Sequence, residues 1–232
     1  MANILELKDV SKIYGEKVKT QVLFNINLSF EESSFNSIIG ASGSGKSTLM
    51  NIMGTLDKAT DGEVIIDGKN ISNMNKEQLA SLRNETIGFI FQFHYLLPEF
   101  TVLENILMPY RIKYNKVTKE ALNRANDLIE IVGLTKVKNN RATDISGGQQ
   151  QRAAIARSLI NSPRIILGDE PTGNLDSETT ETVYNLLKEI NREYKSTFIV
   201  ITHDKRVAEK ADRIIEIKDG KINMDINNIG IK

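Results

Sequence analysis

The chain has no cysteine among its 232 residues, and this absence excludes several kinds of site at once. Disulfide bridges, zinc–thiolate centres and cysteine nucleophiles all require thiols. Cysteine usage therefore gives no information about the redox state of the compartment in which the protein works.

An excess of charge of either sign is also missing, because 30 Lys and Arg residues balance 30 Asp and Glu residues. Such a chain has no overall field that attracts a polyanion, so we expect no nucleic-acid partner. No apolar run approaches the roughly 20 residues that cross a bilayer. Charged residues occur by position 8, so the first residues do not resemble a signal peptide. These features predict a soluble cytoplasmic protein.

The composition that remains is ordinary for a folded domain, with 40% hydrophobic and 26% charged residues. A short, mostly apolar run at 35–39 leads into a glycine and serine loop, and the continuous apolar runs at 165–167 and 198–201 are typical of buried parallel strands. Between the last two runs, the apolar residues of segment 178–194 recur with the period of a helix. Strands that alternate with helices predict an α/β core.

Other segments predict hairpins and helices. Apolar and polar residues alternate within 3–30, and two Asp-Gly pairs, at 67–68 and 219–220, predict tight hairpins. Residues 101–160 are helical in pattern instead. Thr118 is placed to cap a helix that Gly133 ends, and a second helix is expected from about residue 148 to 160.

The most specific motif for nucleotide binding is segment 40–47, which fits G-x-x-x-x-G-K-[ST] between a strand and a helix. A chance match occurs in about 1% of chains of this size. The glycines let backbone N–H groups turn toward phosphate oxygens. We predict that Lys46 bridges the β- and γ-phosphates and that Ser47 holds Mg²⁺. The predicted nucleotide-binding residues here are Gly40, Ala41, Ser42, Gly43, Ser44, Gly45, Lys46, Ser47 and Thr48.

Two adjacent carboxylates, Asp169 and Glu170, follow the apolar run at 165–167. Alone, the pair could be an ordinary acidic end of a strand. Beside a phosphate-binding loop, it indicates two different roles. Asp169 is expected to hold Mg²⁺ through water, and Glu170 to act as the base.

A second glycine motif, formed by Ser146, Gly147, Gly148 and Gln149, precedes the second predicted helix. N–H groups at the start of a helix, together with the serine hydroxyl, make a second anion site. One chain cannot easily bring two such sites onto one triphosphate, whereas two chains arranged head to tail can. The alternative is a plain glycine start of a helix.

Three single residues are candidates that depend on these motifs, since each also has an ordinary structural role open to it. Gln92 follows a predicted strand and could touch Mg²⁺ or the attacking water. His203 ends another predicted strand and could orient the water for Glu170. Tyr14 could stack on adenine, although most tyrosines simply pack.

Taken together, these residues resemble the nucleotide-binding subunit of an ATP-binding cassette (ABC) transporter, and the resemblance covers nearly all of the chain. Six elements occur in the family's order. They are Tyr14, the phosphate-binding loop, Gln92, the motif that begins at Ser146, the acidic pair Asp169 and Glu170, and His203.

Residues 44–51, 91–98 and 171–176 look like one branch of that family. The branch includes macrolide exporters, lipoprotein-release systems, antimicrobial-peptide-resistance transporters and the cell-division ATPase. Ala142, Ile145, Gly168 and residues 31–34 depart from the usual pattern, and none of them touches a catalytic role.

The resemblance implies a P-loop NTPase (RecA-like) core with an antiparallel β subdomain and an inserted α-helical subdomain. A single domain would span 1–232, with core and β subdomain in 1–91 and 161–232. Residues 92–160 would hold the loop at Gln92, the helical subdomain and the motif at Ser146. The cofactors would be ATP and Mg²⁺, and Asp176 would join the nucleotide site.

The resemblance also implies two protein partners. A second copy would close head to tail around two ATP molecules. A separate integral-membrane permease would dock near Gln92 and residues 94–100, which would place this chain at the cytoplasmic face of the cell membrane. The cargo would be exported or extracted peptides, drugs or lipophilic molecules.

Two other functions are alternatives. The chain could be a non-transport ABC ATPase that regulates a membrane partner, as in cell division. It could also be a P-loop protein of another family, such as a kinase or a GTPase. ATP-dependent dimerisation through Ser146 separates that last alternative from the first two.

Overall fold

The computed structural model describes residues 2–228. The Asn- and Ile-rich tail from Lys221 predicts a strand followed by a loose end, and this end falls partly on residues outside that range. Ten strands and seven α-helices lie within it. The strands are β1 Asn3–Tyr14, β2 Thr20–Glu31, β3 Phe35–Ile39, β4 Asp61–Ile66, β5 Lys69–Asn70, β6 Ile87–Phe91, β7 Ile165–Asp169, β8 Thr197–Ile201, β9 Arg213–Lys218 and β10 Lys221–Asn227. The helices are α1 Lys46–Met53, α2 Lys76–Thr86, α3 Val102–Tyr114, α4 Lys119–Ile131, α5 Gly147–Leu159, α6 Ser177–Tyr194 and α7 Lys205–Ala208.

A six-stranded sheet with the order β10-β9-β3-β8-β7-β6 forms the centre of the molecule. The strands from β9 to β6 are parallel, and β10 pairs antiparallel at the edge. All five residues of β8 are buried, as expected for a strand that is covered on both faces. The predicted α/β core is therefore confirmed.

A second sheet, with the order β2-β1-β4-β5, is antiparallel. Its β4–β5 hairpin turns at Asp67 and Gly68, whose φ angles are 51° and 71°. The β9–β10 hairpin turns in the same way at Asp219 and Gly220, with φ angles of 48° and 73°. Positive φ at both turn residues matches the twist of the flanking strands, so both Asp-Gly predictions are confirmed.

Three helices occupy most of the segment from 102 to 159. The Thr118 hydroxyl accepts the Ala121 N–H at 3.2 Å and caps α4, while Gly133 has the left-handed φ of 69° that ends the turn. The buried face of α4 consists of Ala121, Ala125, Leu128 and Ile129. Both the cap and the stop agree with the sequence prediction.

Helix α2 was not expected. Asn75 and Gln78 form a reciprocal capping box at its start, in which each side chain accepts the other residue's backbone N–H. Its only buried residues are Leu79 and Leu82, so its apolar period is short.

Two hydrophobic clusters hold these layers together. One lies between the antiparallel sheet, α1 and one face of the parallel sheet. The other lies between the opposite face and helices α3 to α6, where Phe35 stacks on Phe198 at 5.3 Å and meets Tyr184 edge-on at 5.4 Å. Because such side chains each contribute about 1.5–3 kcal/mol when buried, the central sheet forms a rigid base for the loops at its edge.

No helix within residues 2–228 combines the length and the hydropathy that a bilayer span requires.

Candidate active site

The carboxyl ends of β3, β7 and β8 border a cavity of about 420 Å³. Parallel strands present their carboxyl ends at one edge of a sheet, and ligands of open α/β sheets bind there. Of the predicted loop residues, the cavity is lined by Gly40, Ser42, Gly43, Gly45, Lys46, Ser47 and Thr48, and not by Ala41 or Ser44. Asp169, Glu170 and His203 line it as well.

Two glycines in the loop are required by their geometry. A Cβ on Gly40, at φ 151°, would lie 2.2 Å from the Ile217 carbonyl oxygen. Gly45, at φ 105°, is the N-cap residue just before α1, and no side chain caps this helix. The first N–H groups of α1 therefore have no capping side chain and face a cavity, which is the arrangement that binds anions.

The Lys46 side chain is folded against its own loop. Its Nζ donates to the carbonyl oxygens of Gly40 at 2.9 Å and Ala41 at 2.7 Å. A buried ammonium must be hydrogen-bonded, and these two carbonyls hold the charge beside the cavity. The same ammonium is within reach of an anion that enters there.

Asp169 and Glu170 present two carboxylates to the cavity from the end of β7. Burial raises the pKa of Asp169, the neighbouring Glu170 raises it further, and Lys46 opposes both. Glu170 has a left-handed φ of 47°, and its N–H donates to the Ile201 carbonyl at 2.9 Å. This conformation costs a non-glycine residue about 1–2 kcal/mol. The next strand thus fixes Glu170 in a strained conformation.

His203 and Glu170 lie together, with Nδ1 of the histidine 3.0 Å from Oε1 of the carboxylate. The histidine is 66% exposed, so it can reach a ligand in the cavity as well as the carboxylate. Gln92 does not line the cavity. Its amide donates to Asn174 at 3.1 Å, and it borders Glu170 across Gly173.

Tyr14 also lies outside the lining of the cavity. Its hydroxyl donates to Asp57 Oδ2 at 2.7 Å, and 41% of the residue is exposed. Lys12 Nζ lies 4.7 Å from the centre of its ring. Sequence reasoning missed Lys12 and Asp57, because a contact across 43 positions leaves no local pattern.

The motif at Ser146 is not brought to the cavity. Ser146 and Gln149 form a capping box at the start of α5, with hydrogen bonds of 3.3 Å and 2.8 Å. Gly147 has no neighbour within 4 Å of the position where a Cβ would be. This part of the predicted site is therefore open on the surface of the single chain.

Asp176 caps α6 in this structure. One carboxylate oxygen accepts the N–H groups of Glu178 at 3.1 Å and Thr179 at 2.9 Å, and the other accepts the Thr179 hydroxyl at 2.7 Å. The hydrogen bond from the Thr179 hydroxyl lowers the pKa of Asp176 most, and the hydrogen bond from the Thr179 N–H lowers it further. A Cβ on Gly148 would lie 3.0 Å from Thr179, so Asp176 belongs to the same surface as the motif at Ser146.

Sequence reasoning also missed Arg157 of α5. Its guanidinium donates to the carbonyl oxygens of His94 at 2.7 Å and Tyr95 at 2.6 Å. Burial lowers the pKa of Arg157, which still has two strong acceptors. Helix α5, which begins at the Ser146 motif, is thereby tied to the segment that follows Gln92.

The chain is similar in sequence to known proteins of one family. The ABC transporter family model matches residues 23–173, more than half of the chain. The lipoprotein-releasing system ATP-binding protein LolD 1 of Rhodopseudomonas palustris is 44% identical over 224 residues, which are 96% of this chain and 99% of that protein. The LolD 1 protein of Chlorobium chlorochromatii is 46% identical, with 96% and 91% covered.

Among solved structures, the chain resembles the dimeric ATP-binding cassette MJ0796 in a post-hydrolysis state bound to ADP and Pi. The TM-score is 0.89 at 43% identity, and the match covers 97% of this chain and 99% of that one. The predicted fold class and the predicted branch are confirmed, and the kinase or GTPase alternative is excluded. The chain belongs to the ABC transporter family.

Proposed function

We propose that this chain is the ATP-hydrolysing subunit of a lipoprotein-releasing or closely related system, and that it powers a separate permease that extracts lipophilic cargo from a membrane. One observation carries the proposal. The phosphate-binding loop shares a cavity with Asp169, Glu170 and His203, while the motif at Ser146 lies apart and open. The names of the two LolD relatives support the class of cargo.

The whole chain would act as one ATPase domain. Residues 1–91 and 161–232 supply the core and the β subdomain, and 92–160 supply the loop at Gln92 and the helical subdomain. The three helices between 102 and 159 and the two sheets outside that segment support this division.

ATP binding would use Lys46 and the N–H groups at the start of α1. The triphosphate offers Lys46 a stronger acceptor than the two loop carbonyls it now contacts. Tyr14 would stack on adenine at the outer edge of the cavity, where its ring is partly exposed.

The donor set fits Mg²⁺. The Ser47 hydroxyl and the Asp169 carboxylate line the same cavity, and Mg²⁺ prefers oxygen ligands, including substrate phosphates and water. Burial and the adjacent Glu170 raise the pKa of Asp169. A divalent cation beside the carboxylate would lower this pKa, because it favours the charged form. Mg²⁺ is commonly held by one or two protein oxygens together with substrate phosphates and water, which matches a set of Ser47 and Asp169. Bound Mg²⁺ would neutralise charge on the phosphate oxygens.

Hydrolysis would use Glu170 as the base. Its carboxylate faces the cavity and accepts a proton from the attacking water. His203, which lies 3.0 Å from Glu170, orients that water and contacts the γ-phosphate. Gln92 borders Glu170 across Gly173 and adds a neutral amide on the same side.

A second copy would complete each site. Ser146, Gly147, Gly148 and Gln149 have no part in the cavity of their own chain, so they would cap the ATP held by the other chain. Asp176 lies on this same surface and would order the start of α6 against the partner. The dimeric state of MJ0796 supports this arrangement.

The permease would dock in a groove of about 440 Å³ between the core and α3. Its lining includes Leu56, Phe91 and Ile112, and Ile112 is 73% exposed. Phe93 and Tyr95, in the segment after Gln92, are also exposed. Through the permease, the chain would work at the cytoplasmic face of the membrane.

The proposal is tested by recovering the partner. Tagged Glu170→Gln protein with ATP is incubated with detergent-solubilised native membranes, and the captured proteins are identified. Capture of a permease with a large extracytoplasmic domain is expected. Capture of a cell-division membrane protein would favour the regulatory alternative, and capture of a soluble homodimer alone would contradict the proposal.

A further inference from the structure

The ring of Tyr14 is held by two residues that no sequence motif includes. Tyr14 is the last residue of β1, and its hydroxyl donates to Asp57 Oδ2 at 2.7 Å. Lys12 Nζ donates to Asp57 Oδ1 at 2.6 Å and to the Lys58 carbonyl at 2.7 Å. The three side chains form one hydrogen-bonded cluster, which we call the Tyr14 cradle.

Both carboxylate oxygens of Asp57 are engaged in the cradle. Oδ1 accepts Lys12 and the Lys58 N–H, while Oδ2 accepts the tyrosine hydroxyl. Burial alone would raise the pKa of Asp57, but the hydrogen bonds from Lys12, Tyr14 and Lys58 together outweigh it and lower the pKa. Asp57 is therefore kept charged, and charged acceptors form the stronger hydrogen bonds.

Lys12 limits how a ligand can approach the ring. Its ammonium lies over the ring, 4.7 Å from the centroid, and the side chain is only 10% exposed. One face of Tyr14 is thus occupied by a cation, although 41% of the residue is exposed. A planar ligand would therefore have to stack on the opposite face. The cation also draws electron density from the ring, which favours stacking with an electron-rich aromatic base.

The cradle is anchored to the helix that begins at the phosphate-binding loop. The N–H groups of Leu56 and Asp57 both donate to the carbonyl of Asn51 in α1, at 2.8 Å and 3.1 Å. Asp57 therefore moves with α1, and the hydroxyl of Tyr14 follows it. The distance between the ring and the phosphate site is fixed by this connection rather than by β1 alone.

We propose that Lys12 and Asp57 are positioning residues that hold Tyr14 as a one-sided platform for the base of the nucleotide, at a fixed distance from the phosphate-binding loop. This inference rests on the proposed nucleotide-binding function. It assigns the affinity for the base to three residues, whereas the affinity for the phosphates is assigned to the loop. A cradle that merely joins β1 to α1 would have no preference between ligands with and without a base.

The test compares two ligands that differ only in the nucleoside. ADP and inorganic pyrophosphate carry the same two phosphate groups, and neither needs the catalytic base. The Kd of ADP is measured by calorimetry on the full chain without Mg²⁺, and the Kd of pyrophosphate by its competition with ADP. Asp57→Ala is expected to raise the Kd of ADP about tenfold and to change the Kd of pyrophosphate less than about twofold.

A matched control and a double variant make the result specific. Asp61→Asn removes an exposed charge at the start of β4, whose side chain makes no hydrogen bond within residues 2–228, and should change neither Kd. In a Tyr14→Ala background, Asp57→Ala should have no further effect on ADP. Equal losses for both ligands, or an additive effect in the double variant, would overturn the inference.

A second variant covers the case in which Asp57→Ala does not fold. Tyr14→Phe keeps the ring and removes the hydroxyl that donates to Asp57, so the affinity for ADP should fall while the affinity for pyrophosphate does not. Unchanged ADP binding in both Tyr14→Phe and Lys12→Met would also refute the cradle. Failure of the proposed function has a different signature, since the unmodified chain would then bind neither ligand and Lys46→Ala would change nothing.

Discussion

The cavity at the carboxyl end of the parallel sheet and the start of α5 are the two regions that we propose to contact phosphates, and they differ in what surrounds them. Around the cavity, Lys46 contacts its own loop, Glu170 contacts His203, and the next strand fixes the backbone of Glu170. At the start of α5, the Ser146 hydroxyl accepts the N–H of Gln149 within its own capping box, and Gly147 faces open space.

From this difference we infer which part of the proposed catalytic machinery a single chain can assemble. Parallel strands bring their ends together by folding, so residues from three strands meet in one cavity. Helix α5 begins elsewhere on the surface, so the N–H groups of its first turn do not face the cavity of their own chain. In the proposed mechanism, the first region forms within one chain, and the second acts on the ATP that a second copy holds.

Lys46→Ala should give the largest effect, because it removes the only ammonium that lines the described part of the cavity. Each lost hydrogen bond to a phosphate is worth roughly 1.5–3 kcal/mol. We expect ATP affinity to fall about 100-fold or more and turnover to become undetectable, measured by calorimetry and phosphate release. Lys17→Ala, at an exposed position, is the control. Normal affinity and turnover in Lys46→Ala would reject the phosphate-binding assignment.

Glu170→Gln should separate binding from chemistry within the same cavity. The amide keeps the shape of the side chain but cannot accept the proton of the attacking water. We expect ATP binding to persist, turnover to fall about 10²–10⁴-fold, and an ATP-bound dimer to accumulate on size-exclusion chromatography. Glu77→Gln in the first turn of α2 serves as the control. A monomeric and fully active Glu170→Gln protein would contradict the role of the base.

Ser146→Arg tests the second region without touching the first. The long side chain should block the partner, so we expect ATP binding to be retained while dimer formation is lost and turnover falls about 100-fold. Loss of the cap should lower the free energy of unfolding by about 1 kcal/mol, which a thermal melt detects. Ser81→Arg, on the exposed face of α2, is the matched control. Full activity of Ser146→Arg would rule out the site formed between chains.

Two glycine-to-alanine changes give the smallest and sharpest comparison. A Cβ fits at Gly147, where nothing lies within 4 Å, and at Gly168, where the nearest atoms are at 3.5 Å. Neither residue has positive φ, so each change should raise the free energy of unfolding by about 0.4–1 kcal/mol. Turnover should fall about tenfold in Gly147→Ala alone, because only that methyl faces a partner. Equal turnover in the two variants would contradict the proposal that the start of α5 contacts a second copy.

Much of the fold could be predicted from local patterns. Strand β6, both Asp-Gly hairpins and the capped helix α4 agree with the sequence prediction, because turn chemistry and apolar period act over a few residues. Helix α2 was missed although Asn75 and Gln78 carry a capping signal. Its apolar face is too short to stand out from its exposed residues.

The sequence alone determined the family, the phosphate-binding loop and the acidic pair, since glycines, a lysine and carboxylates at fixed spacing are all that these features need. Only the tertiary structure decided what each side chain contacts. It joined Glu170 to His203, placed Gln92 against Asn174, and bonded the Tyr14 hydroxyl to Asp57. These contacts link residues that are up to 82 positions apart, and they exist because separate strands, helices and loops pack together. A linear pattern carries no record of such packing.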